Sequence, residues 1–105
     1  MNNLVEVNEA TFEAEVLRSP VPVAVQFFGS YCVPCRALKP ALESLADDLG
    51  NSAKIVAVDV IASPKLVQDH GVSAVPTILV FRNGLLTHRM IGLGALANLR
   101  EALAV

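Results

Sequence analysis

The chain has 105 residues, a formal net charge of −2, and 53% hydrophobic against 17% charged residues. That length suits one compact domain, read as residues 1–105, and that apolar share excludes disorder and favours elements buried on both faces. The Lys and Arg residues are scattered, with no basic stripe to follow a phosphate backbone, so nucleic acid is excluded as a partner.

The opening Met1-Asn2-Asn3-Leu4-Val5-Glu6 has no basic segment leading into an apolar one, and no apolar run approaches a bilayer-spanning length. A soluble cytoplasmic protein without membrane attachment is expected. Leu4, Val5 and Val7 predict a short strand, and Asn8 caps a helix carrying Phe12, Val16 and Leu17 on one face. After Ser19-Pro20, Val21 to Phe28 run almost without polar interruption, and their β-branched and aromatic content predicts a central buried strand. Gln26 is the lone polar residue within it and is expected to be a hydrogen-bonded core group.

From Cys35 the period becomes helical, with Leu38, Leu42, Leu45, Ala46 and Leu49 on one stripe that ends at Gly50. Pro40 lies inside and predicts a kink between Arg36 and Pro40. Lys54 to Val60 reads as a second buried strand, and Ser63-Pro64 as a helix entry with a capping hydroxyl, stopped at Gly71. Thr77 to Phe81 and Leu85 to Ile91 flank Asn83-Gly84, a dipeptide suited to a tight hairpin, so these strands are expected to be antiparallel. A last helix is predicted from Ala95 to Leu103 after the Gly92-Leu93-Gly94 bend. The order βαβαβαββα implies an α/β fold, a mixed five-stranded sheet with helices on both faces.

The only cysteines, Cys32 and Cys35, cannot form a multi-bridge framework, and they sit where the central strand ends and the long helix begins. Their spacing allows a disulfide within one turn. Free N–H groups and the positive end of the helix dipole stabilise a thiolate at Cys32, while Cys35, one turn further in, is expected to be more buried and less acidic. Cys32 is then the nucleophile that forms a mixed disulfide with a substrate, and Cys35 the resolving thiol.

The segment Phe27-Phe28-Gly29-Ser30-Tyr31-Cys32-Val33-Pro34-Cys35, together with Pro40, Val75-Pro76-Thr77, Asn83-Gly84 and Gly92, resembles the thioredoxin family over essentially the whole chain. The resemblance implies the thioredoxin fold, with Pro76 a cis-proline facing the disulfide. It further implies a Val75 backbone that pairs with an extended substrate, and a Gly92 that leaves close access beside it. Tyr31, Val33 and Pro34 would complete the docking rim. Gly is common in the family where Val33 stands, and Trp where Phe28 and Tyr31 stand. The family's usual buried Asp and its nearby Lys are replaced here by Gln26 and Ala57. Because Gln cannot titrate, Cys35 must lose its proton by another route, through water or to the Cys32 thiolate.

Simpler readings compete. A zinc site would need further ligands, and His70 and His88 stand at no usual ligand spacing. An inert buried pair does not explain the strand-to-helix placement. His70 is expected to meet helix-end carbonyls and His88 to be an exposed strand residue, neither catalytic. The resemblance thus implies a disulfide reductase, monomeric and without a bound cofactor. A thioredoxin reductase would keep it reduced for disulfide-containing protein substrates. An oxidase or isomerase, and a non-catalytic peptide-binding module, are the alternatives.

Overall fold

The computed structural model describes residues 4–104. Its strands are β1 (Val5–Glu6), β2 (Val23–Phe28), β3 (Lys54–Asp59), β4 (Thr77–Arg82) and β5 (Leu85–Ile91), in the spatial order β1-β3-β2-β4-β5. β1 and β2 both pair with β3 in parallel, whereas β4 runs antiparallel to β2 and to β5. The longer helices are α1 (Val33–Leu49) and α2 (Pro64–Asp69), and a short α3 (Leu99–Leu103) closes the chain. This is the mixed five-stranded sheet that the element order implied.

Alternation along β2 explains why helices cover both faces. Val23, Val25 and Phe27 point to one side, where they meet Phe12, Val16 and Leu66. Ala24 points to the other, against Leu38 and Leu42 of α1 and Leu99 and Leu103 of α3. Each fully buried Val, Leu or Phe contributes roughly 1.5–3 kcal/mol. With Val23, Ala24, Val25 and Phe27 all at 0% exposure, β2 is the element around which both cores are built.

Several local expectations change. The helix after Asn8 contains only Glu13–Leu17, wound wide so that Arg18 N–H reaches Glu13 O at 2.9 Å. Asn8 does cap the preceding turn, its Oδ1 accepting the Ala10 and Thr11 N–H groups at 2.9 and 3.1 Å. β2 starts at Val23 rather than Val21 because Pro22 has no N–H for the ladder, although its carbonyl accepts from Lys54 N–H at 2.9 Å. Toward the end, Leu93–Asn98 form a tight 3-10 segment, and only Leu99–Leu103 are α-helical. Ala95 N–H bonds back to Gly92 O at 3.1 Å, so the bend at Gly92 sets the tighter winding.

Asn83 and Gly84 both take positive φ, 52° and 79°, as the tight antiparallel hairpin requires. A Cβ on Gly84 would also stand 2.9 Å from Leu17 O.

Ser63 does not cap α2. Its side chain makes no cap bond, and its buried Oγ has no partner among the described residues. The α2 terminus is served instead by Glu9, whose Oε2 accepts Lys65 N–H at 2.8 Å across a sequence separation of 56. A buried hydroxyl without a partner costs stability, so Ser63→Ala is expected to raise unfolding free energy by about 1 kcal/mol. A capping serine would lose about that much on the same change. Urea midpoints of the two proteins decide the sign.

Candidate active site

Cys32 and Cys35 form a disulfide with Cα atoms 5.3 Å apart. β2 delivers the chain to Gly29, and Cys32 N–H bonds Gly29 O at 3.0 Å to close the turn before α1. Cys32, in extended conformation, is the N-cap of α1, and its Sγ accepts Cys35 N–H at 3.1 Å. The sulfur therefore takes the place of the oxygen that an Asp or Ser would offer to a free helix-end donor. Pro34 falls in the first turn, where its missing N–H leaves no bond unmade. The helix thus begins at Val33, before the predicted start at Cys35, and continues through Pro40.

The expected difference in burial between the cysteines is absent in this oxidised state: both are 4% exposed. Around the disulfide Tyr31 and Val33 are 65% and 64% exposed, an apolar rim at the helix entrance. Gly29 lets Tyr31 fold back, because a Cβ there would lie 2.6 Å from Tyr31 Cε1.

The Val75–Pro76 peptide bond is cis. Pro76 is buried and Val75 half-buried, with Gly92 drawn alongside by its N–H bond to Pro76 O at 2.9 Å. Gly92 has φ 80° and ψ −169°, a backbone region that only glycine occupies without strain. Two positioning contacts escaped the sequence reading. Buried Thr77 donates its Oγ1–H to Ala74 O at 2.5 Å, and Arg36 donates from Nη1 to Ser30 O at 2.8 Å. Neither has a sequence signal, since each depends on how the loop folds back. Ile61, Ile91 and Leu93 are also exposed apolar residues that the sequence reading did not single out.

Gln26 and Ala57 are direct neighbours in register on β2 and β3, on the α1 face of the sheet. Gln26 is 3% exposed, but its Nε2 has no hydrogen-bond partner among the described residues, contrary to the expectation of a satisfied core amide. It lines a cleft of about 280 Å³ that also reaches Cys35, Phe28 and Ala57. Where a carboxylate and an ammonium could neutralise each other, this chain has a neutral amide beside a methyl group.

The histidines lie where they were expected. His70 Nδ1 is 2.9 Å from Leu66 O, with its ring packed on Phe12, Phe27 and Phe81, and His88 is exposed on β5. No group of three or more metal-ligating side chains occurs among the described residues, and no described helix is long and apolar enough to cross a membrane.

The sequence model of the Thioredoxin family matches residues 3–104. The thioredoxin of Rickettsia bellii is 34% identical over 87 residues, 83% of each chain. Thioredoxin 1 of Synechococcus elongatus is 33% identical over 86 residues, 82% of this chain and 80% of that one. A bifunctional thioredoxin reductase/thioredoxin of Mycobacterium leprae is 35% identical over 98 residues, 92% of this chain and 21% of the larger protein. With a paired Cys32 and Cys35 at the start of α1 and a family match along nearly its whole length, the chain belongs to the thioredoxin family and is a thiol-disulfide oxidoreductase.

Proposed function

We propose that this protein works in the reducing direction, cleaving disulfides in other proteins. Cys32 thiolate attacks one substrate sulfur, forming a mixed disulfide and releasing the other sulfur as a thiolate. Cys35 then attacks Cys32 Sγ, the bond to the substrate breaks, and the Cys32–Cys35 disulfide forms. An electron pair has passed from the dithiol to the substrate, which leaves as a dithiol once protonated. The bond from Cys35 N–H to Cys32 Sγ at the helix start favours negative charge on that sulfur and carries the choice of Cys32 as the attacking thiolate, while the likeness to thioredoxins supports the reducing direction.

Tyr31, Val33 and Pro34 form one side of the proposed docking surface, and Val75, Pro76 and Gly92 the other. Val75 offers backbone groups to an extended substrate segment. Gln26, Phe28 and Ala57 tune the site from the cleft behind it. The protein acts as a cytoplasmic monomer, re-reduced at the expense of NADPH by a thioredoxin reductase. Fusion of a related domain to such a reductase in Mycobacterium leprae supports that pairing.

Insulin reduction coupled to NADPH and a thioredoxin reductase tests the proposal. Wild type is expected to turn over repeatedly and Cys32→Ser to be inactive. A wild-type protein that oxidises reduced RNase A but leaves insulin intact would establish the oxidase alternative, and equal behaviour of both proteins would leave only the peptide-binding one.

A further inference from the structure

The cleft behind the disulfide contains the buried amide of Gln26 and reaches Cys35, but Gln26 cannot take a proton. A row of paired residues crosses the sheet at this level, Glu6 to Ala57 to Gln26, all on the face that α1 covers. Glu6 and Gln26 are thus two strand spacings apart, about 9–10 Å between Cα atoms, with only the Ala57 methyl between them. The other charged residues lining the cleft are Arg36 and Lys39, both from α1, and as cations they have no lone pair to offer. Other charged side chains of β3 are engaged elsewhere: Lys54 Nζ lies 3.3 Å from Glu15, and Asp59 Oδ1 accepts Ile61 N–H at 2.9 Å. Glu6 is the one carboxylate among the described lining residues.

We propose that Glu6 is the proton acceptor for Cys35, reached through water held in the cleft by the Gln26 amide. This rests on the reductase reading above. A neutral amide whose Nε2 has no partner among the described residues, in a cleft of this size, is a site for ordered water, and small Ala57 leaves the path to Glu6 open. In the resolving step the Cys35 proton moves through water to the Glu6 carboxylate. Cys35 sulfur bonds to Cys32 Sγ, and the substrate sulfur departs as a thiolate that is protonated from solvent. Glu6 returns its proton to solvent at the cleft mouth, where it is exposed. Gln26 is a positioning residue, since it holds the water and no proton resides on it.

The test is stopped-flow reaction of the reduced protein with 4,4′-dithiodipyridine, a neutral disulfide whose thiopyridone appears once on Cys32 attack and again on Cys35 resolution. With Glu6 as base, the second wild-type phase holds a plateau between about pH 6 and 8. In Glu6→Gln that phase slows about tenfold or more, loses the plateau and rises about tenfold per pH unit with the thiolate fraction, while the first phase changes less than about twofold. Glu6→Asp keeps the plateau at a lower rate, and Gln26→Leu combined with Glu6→Gln is no slower than the slower single variant. A second phase unchanged in Glu6→Gln, or both phases slowed alike, overturns the proposal while leaving the reductase reading intact. Release of only one thiopyridone by wild type overturns that reading and the proposal with it.

Discussion

Replacing Cys35 with serine is expected to convert the protein from a catalyst into a trap. Cys32 is held at the N-terminus of α1 and keeps its attacking role, so mixed disulfides with substrate proteins still form. The serine hydroxyl is not acidic enough to displace the substrate, so insulin turnover should fall by about 10³-fold or more, the scale on which members of a catalytic unit fail. Adducts should appear on non-reducing gels and vanish with dithiothreitol. Cys32→Ser should be equally inactive but should form no such adducts, because the helix-end N–H group that favours a thiolate is directed at Cys32 rather than at Cys35. Adducts of similar yield in both variants would reverse the assigned roles.

Gln26→Asp is expected to make stability depend strongly on pH. The side chain at this position is 3% exposed, and register places Ala57 and Ile78 on either side of it. Burial without a cation in contact penalises the ionised carboxyl, raising its folded pKa above the unfolded value of about 3.9. Arg36 and Lys39 at the cleft rim oppose that rise and Glu6 adds to it. All three are exposed, so solvent screens them and burial decides the direction. Below the unfolded pKa both states hold the proton and the variant carries no ionisation penalty. Between the two values the folded state binds more protons than the unfolded one, so stability falls with rising pH by about 1.4 kcal/mol per unit. Above the folded pKa the loss is constant, near 4 kcal/mol for a shift of about three units. Urea unfolding of the oxidised wild type and variant from about pH 4 to 9 measures the difference. A flat difference would mean that water reaches this position freely.

The sequence determined what local chemistry can specify. Strand and helix types followed from hydrophobic period: continuous apolar runs over β2 and β3 belong to strands buried on both faces, and the Leu38, Leu42, Leu45 stripe to a helix with one buried side. The hairpin followed from Asn83-Gly84, since few other pairs accept positive φ at both positions. The reactive pair followed from two cysteines at a strand-to-helix junction, and the thioredoxin resemblance rested on contiguous motifs. Only the tertiary structure decided which polar groups find partners. Ser63 has the right identity for a cap, but its backbone does not present the hydroxyl, and Glu9 serves α2 from 56 residues away. Gln26 looked like a satisfied core amide until strand register put it beside Ala57, where its Nε2 has no partner among the described residues. Glu6 is an ordinary exposed residue in sequence and enters the cleft only because β1 pairs with β3 at Ala57. Hydrophobic period and turn preference act within a few residues along the chain, whereas the cleft behind Cys35 is assembled from three strands and a helix whose mutual register no local pattern encodes.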